Sequence, residues 1–234
     1  MAGYHILITG ANRGLGLALT ERLLSGGHRV HALSRHQSDD LLKLQSRFPD
    51  TLRRYPGDVT DESSIRAALG AIAEEAQHLD ILINNAAVHL EQAAPPIEKA
   101  DFSGYLPSFE VNSIGPLVVV KHALPLLKKG KGRLIANISS EAGSIGKAWR
   151  KAEYSYCMSK AALNMASQLL QNALKEDRIK VLAVHPGWFS SDMGGAEAPI
   201  TPAEAAEPIV ALLMKPPDLA GPVFVTSRGE AIDW

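Results

Sequence analysis

Short apolar runs of strand length alternate along this chain with stretches long enough to be helices, and that rhythm limits its fold more than any other feature. Residues 5–9, 29–33, 51–55, 81–84, 133–138, 180–185 and 222–226 read as buried strands. Within 14–24, Leu15, Leu19 and Leu23 recur every fourth residue and mark one face of a helix. Residues 61–77 open with Asp61 as an N-cap and then carry Ile65, Leu69 and Ile72. Such alternation implies an α/β fold: a doubly wound parallel sheet of about seven strands with helices on both faces. No repeat, low-complexity tract or linker divides the chain, so 1–234 reads as a single domain.

With 234 residues, 46% of them apolar and 21% charged, the chain has material for an ordinary core and is not a disordered one. A formal charge of −1 argues against a general nucleic-acid binder. Cys157 is the one cysteine, so nothing points to an oxidising compartment. Met1-Ala2-Gly3-Tyr4 runs straight into the first strand without a basic segment and a long apolar stretch, and no run approaches the ~18 apolar residues of a membrane span. These features predict a soluble, cytoplasmic protein with no membrane partner.

The strongest local signal is Thr9-Gly10-Ala11-Asn12-Arg13-Gly14-Leu15-Gly16, set between the first strand and the first helix. Glycines allow a tight turn and close approach of backbone to a ligand, and a helix start offers free N–H groups and a positive dipole end. Three glycines alone say little; their place after a strand and before an amphipathic helix makes the turn a phosphate seat. Its spacing, G-x-x-x-G-x-G, resembles that of the short-chain dehydrogenase/reductases. The resemblance extends over essentially the whole chain. Asn84-Asn85-Ala86-Ala87 is similar to the family's N-N-A-G, Asn112, Ser140, Tyr156 and Lys160 match its catalytic tetrad, and Pro186-Gly187 matches its P-G turn. Within the family the sequence looks most like compact C-factor-like or carbonyl-reductase-like members.

The cofactor reading rests on charge. A carboxylate closing the second strand would bind a ribose diol, whereas arginines favour a 2′-phosphate. Here the strand ends Ser34-Arg35 with no acidic residue before it, and Arg13 lies in the glycine turn. Two guanidiniums could clamp a phosphate, or either could be a solvated surface residue. The resemblance implies the same assignment, NADP(H). It also implies adenine contacts at Asp58 and Val59, backbone contacts along Gly10, Asn12, Gly14, Leu15 and Gly16, and others at Asn85, Ala86, Ala87, Pro186, Gly187 and Ser191. Ser191 stands at the family's usual threonine position and keeps the hydroxyl; Ala87 replaces a glycine.

Tyr156 and Lys160 are four apart near the start of a helix reaching about residue 174, so they share a face. A free phenol, with a pKa of about 10, is a poor acid or base near neutrality, and a neighbouring ammonium is expected to lower it. Tyr154 is rejected because Met158 stands four residues beyond it. Ser140, just before Glu141-Ala142-Gly143, is preferred to Ser139, which caps or packs the strand end. The implied reaction is hydride transfer between nicotinamide and a small carbonyl or alcohol. Tyr156 moves the proton, Ser140 hydrogen-bonds the reacting oxygen and Lys160 binds the ribose. Asn112 would hold a water in the relay, a role resting wholly on the resemblance; otherwise it is a helix-kink or packing residue.

Three loops, 88–99, 144–153 and 187–202, are expected to carry the substrate site. The interval from Ser140 to Tyr156 is longer than the family's usual one, which makes 144–153 an overhanging loop. His89, Trp149, Trp188 and Met193 are the candidate substrate contacts. Eight histidines without an H-x-x-x-H pair predict no metal. The helix after Tyr156, apolar nearly all round with Ala162, Met165, Ala166, Leu169 and Ala173, reads as buried in a core or a subunit contact, hence a homodimer or homotetramer. The competing reading is an NADP(H)-binding sensor without turnover, which would need no proton-transferring tyrosine.

Overall fold

The computed structural model describes residues 3–90 and 95–234. Among them, seven strands form one sheet: β1 (His5–Thr9), β2 (Arg29–Ser34), β3 (Leu52–Pro56), β4 (Ile81–Asn84), β5 (Leu134–Ile138), β6 (Lys180–His185) and β7 (Phe224–Thr226). The order is β3-β2-β1-β4-β5-β6-β7, and every neighbouring pair is parallel. Order reverses between β1 and β4, where ligands bind at the carboxyl edge of such sheets. This is the single-domain, doubly wound fold expected from the alternation.

The strands are buried on both faces because side chains alternate at period two. Ile6, Ile8, Val30, Ala32, Ala136 and Val184 point to one side, where α1 (Gly14–Ser25), α2 (Asp39–Arg47) and α7 (Pro202–Met214) cover them with Leu19, Leu23, Leu41, Leu44 and Ile209. Leu7, Leu33, Leu82, Ile135 and Val181 point to the other. There α3 (Glu62–Ala76) and α5 (Gly115–Leu127) supply Ile65, Leu69, Ile72, Val119 and Ala123, and α6 (Tyr154–Leu174) supplies Leu174. A short helix, α4 (Tyr105–Phe109), runs through a π-turn at Glu110–Ile114 into α5.

Boundaries shift where the backbone demands it. β5 starts at Leu134 because Arg133 has φ 48°, which no strand residue adopts. β7 loses Pro222 and Val223 and begins at Phe224. The loop placed at 88–99 includes 91–94, which lie outside the described residues; its remainder has a 3₁₀ turn at Ile97–Lys99. The loop placed at 187–202 ends one residue early, because Thr201 and Glu204 form a reciprocal capping box that starts α7 at Pro202.

Candidate active site

Parallel strands deliver their last residues to one edge, and the sequence-predicted residues gather there. The glycine turn is stitched into place from two sides. Gly10 N donates to the Leu33 carbonyl (2.8 Å), and Asn85 Nδ2 donates to the Thr9 and Gly10 carbonyls (3.0 and 3.2 Å). Thr9 Oγ1 accepts from the Asn85 and Ala86 amides (3.0 and 3.1 Å). A methyl on Gly16 would stand 2.2 Å from the Gly10 carbonyl oxygen, so only glycine lets α1 pack this close.

The start of α1 carries no side-chain cap, a trait it shares with α5 and α6. α2, α3 and α7 are capped by Ser38, Asp61 and Thr201, whereas Arg13 caps α1 with no side-chain hydrogen bond and no acidic residue stands in its first turn. Its first N–H groups and positive dipole end are left without a side-chain partner at the carboxyl edge of the sheet, a disposition that suits an anion. Leu15 is buried in the core, so only its backbone is available to a ligand. Asn12 offers its carbonyl to Ser38 Oγ.

Neither arginine stands alone. Arg13 forms an ion pair with Asp192, across the cleft in the 187–202 loop, and Arg35 Nη1 lies 3.9 Å from Asp58 Oδ2. Asp58 also closes a turn, its Oδ1 accepting from the Thr60 amide and hydroxyl (2.9 and 2.8 Å). Ser34 Oγ donates to the His36 carbonyl (2.9 Å), and Val59 is buried beside Gly115.

Ser140, at the end of β5, lies near enough to Tyr156, in the first turns of α6, for its hydroxyl to favour the phenolate. Ser140 Oγ also accepts from the Ala142 amide (3.1 Å). Lys160 is buried one turn on, its Nζ 5.7 Å from the Tyr156 ring centre and donating to the Ile138 carbonyl (2.9 Å). Burial lowers this ammonium to about 8. An ammonium has three donors, and this one sits beside the hydroxyl pair. The tyrosine departs from expectation. Burial pushes its phenol up, and the Ser140 hydroxyl and the Arg150 guanidinium oppose that rise.

Asn112 occupies the π-turn, almost wholly buried, with its amide fully engaged. Oδ1 accepts from Val88 N, and Nδ2 donates to the Val88 carbonyl (both 2.8 Å) and to Ser159 Oγ (3.0 Å). It ties the segment after β4 to α6. Such turns recur at functional positions. Ser139 hydrogen-bonds Asn164 Oδ1 (2.6 Å), the packing role expected of it, and Tyr154 donates to the Lys151 carbonyl instead of facing Lys160.

The candidate substrate residues divide. His89 stacks on Tyr156 with ring centres 4.6 Å apart. Trp149 is exposed under the Arg150 guanidinium, and Trp188 donates Nε1 to the Gly194 carbonyl (2.8 Å). Met193 is exposed in the same loop, and Ser191 Oγ accepts from Gly194 N (2.9 Å). Pro186 leads into Gly187, whose φ of 90° needs glycine, and Ala87 lies between Ala86 and the Val88–Asn112 bonds. Glu141, Arg150 and Glu153, not among the residues expected at the site, form an ion-paired cluster near Tyr156, with His185 against the Glu141 amide. Glu141 directly follows Ser140, and that adjacency was the available signal.

This geometry has known counterparts. The short chain dehydrogenase family model matches residues 4–199. The chain belongs to the short-chain dehydrogenase family. It is similar to "Short-chain dehydrogenase anuI" of Penicillium roqueforti, 35% identical over 220 residues, covering 88% of this chain and 86% of the relative. Among solved structures, the carbonyl reductase Sniffer of D. melanogaster superposes with a TM-score of 0.91 at 30% identity, covering 99% and 100% of the two chains. An NADPH-bound carbonyl reductase from chicken fatty liver gives 0.89 at 32% identity, covering 100% of each. Short-chain dehydrogenases are oxidoreductases that use a nicotinamide cofactor on small molecules. The uncapped α1 and the buried, sparsely partnered Lys160 fit such a group.

Proposed function

We propose that this short-chain dehydrogenase is an NADP(H)-dependent carbonyl reductase acting between a small carbonyl compound and its alcohol. The observation that carries the reading is Lys160, buried with its Nζ 5.7 Å from the Tyr156 ring centre, beside Ser140 at the sheet edge where α1 begins. NADP(H), when bound, supplies or accepts the hydride. Tyr156 Oη gives its proton to the carbonyl oxygen during reduction and takes it back during oxidation. Ser140 Oγ hydrogen-bonds the same oxygen and stabilises its developing negative charge. Lys160 holds ribose hydroxyls, and Asn112, fixed between Val88 and Ser159, aligns the relay behind the lysine.

The phosphates rest on the backbone of Gly10, Asn12, Gly14, Leu15 and Gly16. Asn85, Ala86, Ala87, Asp58 and Val59 border the adenosine, and Pro186, Gly187 and Ser191 the nicotinamide. Ser34 and Arg35 close β2 without a carboxylate, which supports the phosphorylated cofactor, as do the carbonyl reductase likenesses. Arg13 and Arg35 would then exchange Asp192 and Asp58 for a 2′-phosphate. Loops 88–99, 144–153 and 187–202 shape the substrate side, with His89, Trp149, Trp188 and Met193 as contacts.

The test is NADPH oxidation against a panel of aldehydes, ketones and diketones, with NADH and Tyr156→Phe alongside. Expected is NADPH-preferring turnover that falls roughly 10²- to 10⁴-fold in the variant. Arg13→Ser with Arg35→Ser should weaken NADPH binding about tenfold or more, the scale of lost charged hydrogen bonds, and leave NADH binding alone. Preference for NADH would remove the arginine assignment. Tight NADPH binding without turnover on any substrate would favour the sensor reading.

The apolar residues of α6 also support self-association. Met165 and Leu169 are 61% and 60% exposed, facing Leu117 of α5 across a shallow groove that Ala162, Ala166 and Leu170 complete. A homodimer through this face, or a homotetramer including it, would cover them.

A further inference from the structure

The ion-paired cluster near Tyr156 has a specific architecture. Arg150 forks onto Glu141, Nη1 to Oε2 at 2.8 Å and Nη2 to Oε1 at 2.7 Å, and its Nε meets Glu153 Oε2 at 2.7 Å. All three side chains are at most about one-third exposed. Glu141 follows Ser140 and opens the 3₁₀ turn on which the serine sits, and its amide donates to His185 Nδ1 (3.2 Å). Glu153 caps α6 three residues before Tyr156, in the left-handed region at φ 63°, its carbonyl accepting from Cys157 N. Glu153 Oε1 lies 3.6 Å from His89 Nε2, and that ring covers the tyrosine. The base of the loop is pinned independently: Ser144 Oγ donates to the Asp233 carbonyl and Gly146 N to the Trp234 carbonyl, each at 2.7 Å.

We infer that Arg150 is a positioning residue for the hydroxyl pair, one guanidinium clamping the Ser140 turn to the first turn of α6 and holding His89 over Tyr156. The inference rests on the reductase reading for its consequence and on the geometry for its substance. A bidentate guanidinium fixes a carboxylate in plane as well as in distance, which a lysine cannot do. Two carboxylates from different segments converge on it, so losing it frees both segments together. The titratable groups that act on or pack against Tyr156 are His89 from the segment after β4, Glu141 after β5, Arg150 from the long loop, and Cys157 and Lys160 from α6, with His185 and Glu153 one contact further out. Among them the Arg150 charge favours the phenolate and Glu141 opposes it.

Arg150→Gln and Arg150→Lys separate fork from charge. Both should bind NADPH within about twofold of the parent, yet lose kcat for reduction by roughly tenfold to a hundredfold, the scale of a small misplacement, with a smaller change in KM. In Arg150→Gln the high-pH limb of kcat should move upward, because a phenol without its cation holds its proton longer. Arg150→Lys should keep the parent limb while kcat stays low. Amide exchange over 140–144 and 154–157 should quicken in both variants. A lysine variant with parental kcat, or a glutamine variant with the parental pH limb, would overturn the clamp. So would unchanged exchange in the two segments, a readout that needs no substrate. Absence of turnover in the parent would count against the reductase reading alone.

Discussion

Gly16 and Gly70 show how differently one residue type acts at two positions. A methyl on Gly16 meets the Gly10 carbonyl oxygen at 2.2 Å, so the turn must shift; around Gly70, in the middle of α3, nothing lies within 4 Å. Gly16→Ala should therefore cost roughly 1–3 kcal/mol of overpacking and loosen NADPH binding about tenfold or more. Gly70→Ala should stabilise the fold by about 0.5–1 kcal/mol through helix propensity. Chemical denaturation and a fluorescence titration with NADPH read both. Parental affinity in Gly16→Ala would mean that the turn is not the phosphate seat. At this scale the sequence was informative where spacing carries geometry: Tyr156 and Lys160 share a helix face, and Ser140 lies beside the tyrosine. It was silent where partners are remote. Asp192 meets Arg13, and Arg150 joins Glu141 to Glu153, only because loops fold back. Packing also brings a second cation, Arg150, whose charge favours the phenolate against the burial that raises it.

At the scale of elements, strands were legible because both faces are buried and the runs are nearly all apolar. The helices α2, α5 and α7 were not singled out, and proline is part of the reason: Pro116 and Pro125 lie in α5, and Pro202 and Pro208 in α7. Three histidines meet on the sheet near its amino edge, away from the site. His5 Nδ1 lies 3.2 Å from His31 Nε2, His78 tilts against His5, and His31 Nδ1 reaches Tyr55 Oη at 3.3 Å, which donates to Glu75. Burial, reinforced by His5, depresses His31 to about 4. Because the unfolded chain takes up this proton near 6.5, stability is full above that value and declines as pH falls from about 6.5 through about 4. Urea unfolding should show the parent losing roughly 2 kcal/mol from this residue between about pH 7 and 5, with a much shallower decline in His31→Gln. Equal slopes would mean that His31 does not stay neutral in the fold.

The whole molecule poses the question that its helices leave open. An all-round apolar α6 was expected to be buried, and half of it is: Leu163 and Leu174 are buried, while Met165 and Leu169 face outward. Leu117, Ile114 and Leu106 extend that exposure along the neighbouring segment at 40%, 52% and 76%. No helix among the described residues is long and apolar enough to cross a membrane, so this face is not part of a span. A two-fold contact would set each residue against the same patch of a second copy, and stable homodimers bury on the order of 1,000 Å² or more. Symmetry doubles every substitution. Leu169→Glu would bring two carboxylates together in an apolar contact, where an unpaired charge is costly to desolvate. The parent should sediment as a dimer or larger species at micromolar concentration, and Met165→Glu/Leu169→Glu as a monomer with an unchanged circular dichroism spectrum. Every residue proposed for the site comes from one chain, so the monomer should keep most of its NADPH-dependent turnover. A monomeric parent would show that α5 and α6 leave this face to solvent. A dimer indifferent to both charges would move the contact elsewhere on the surface.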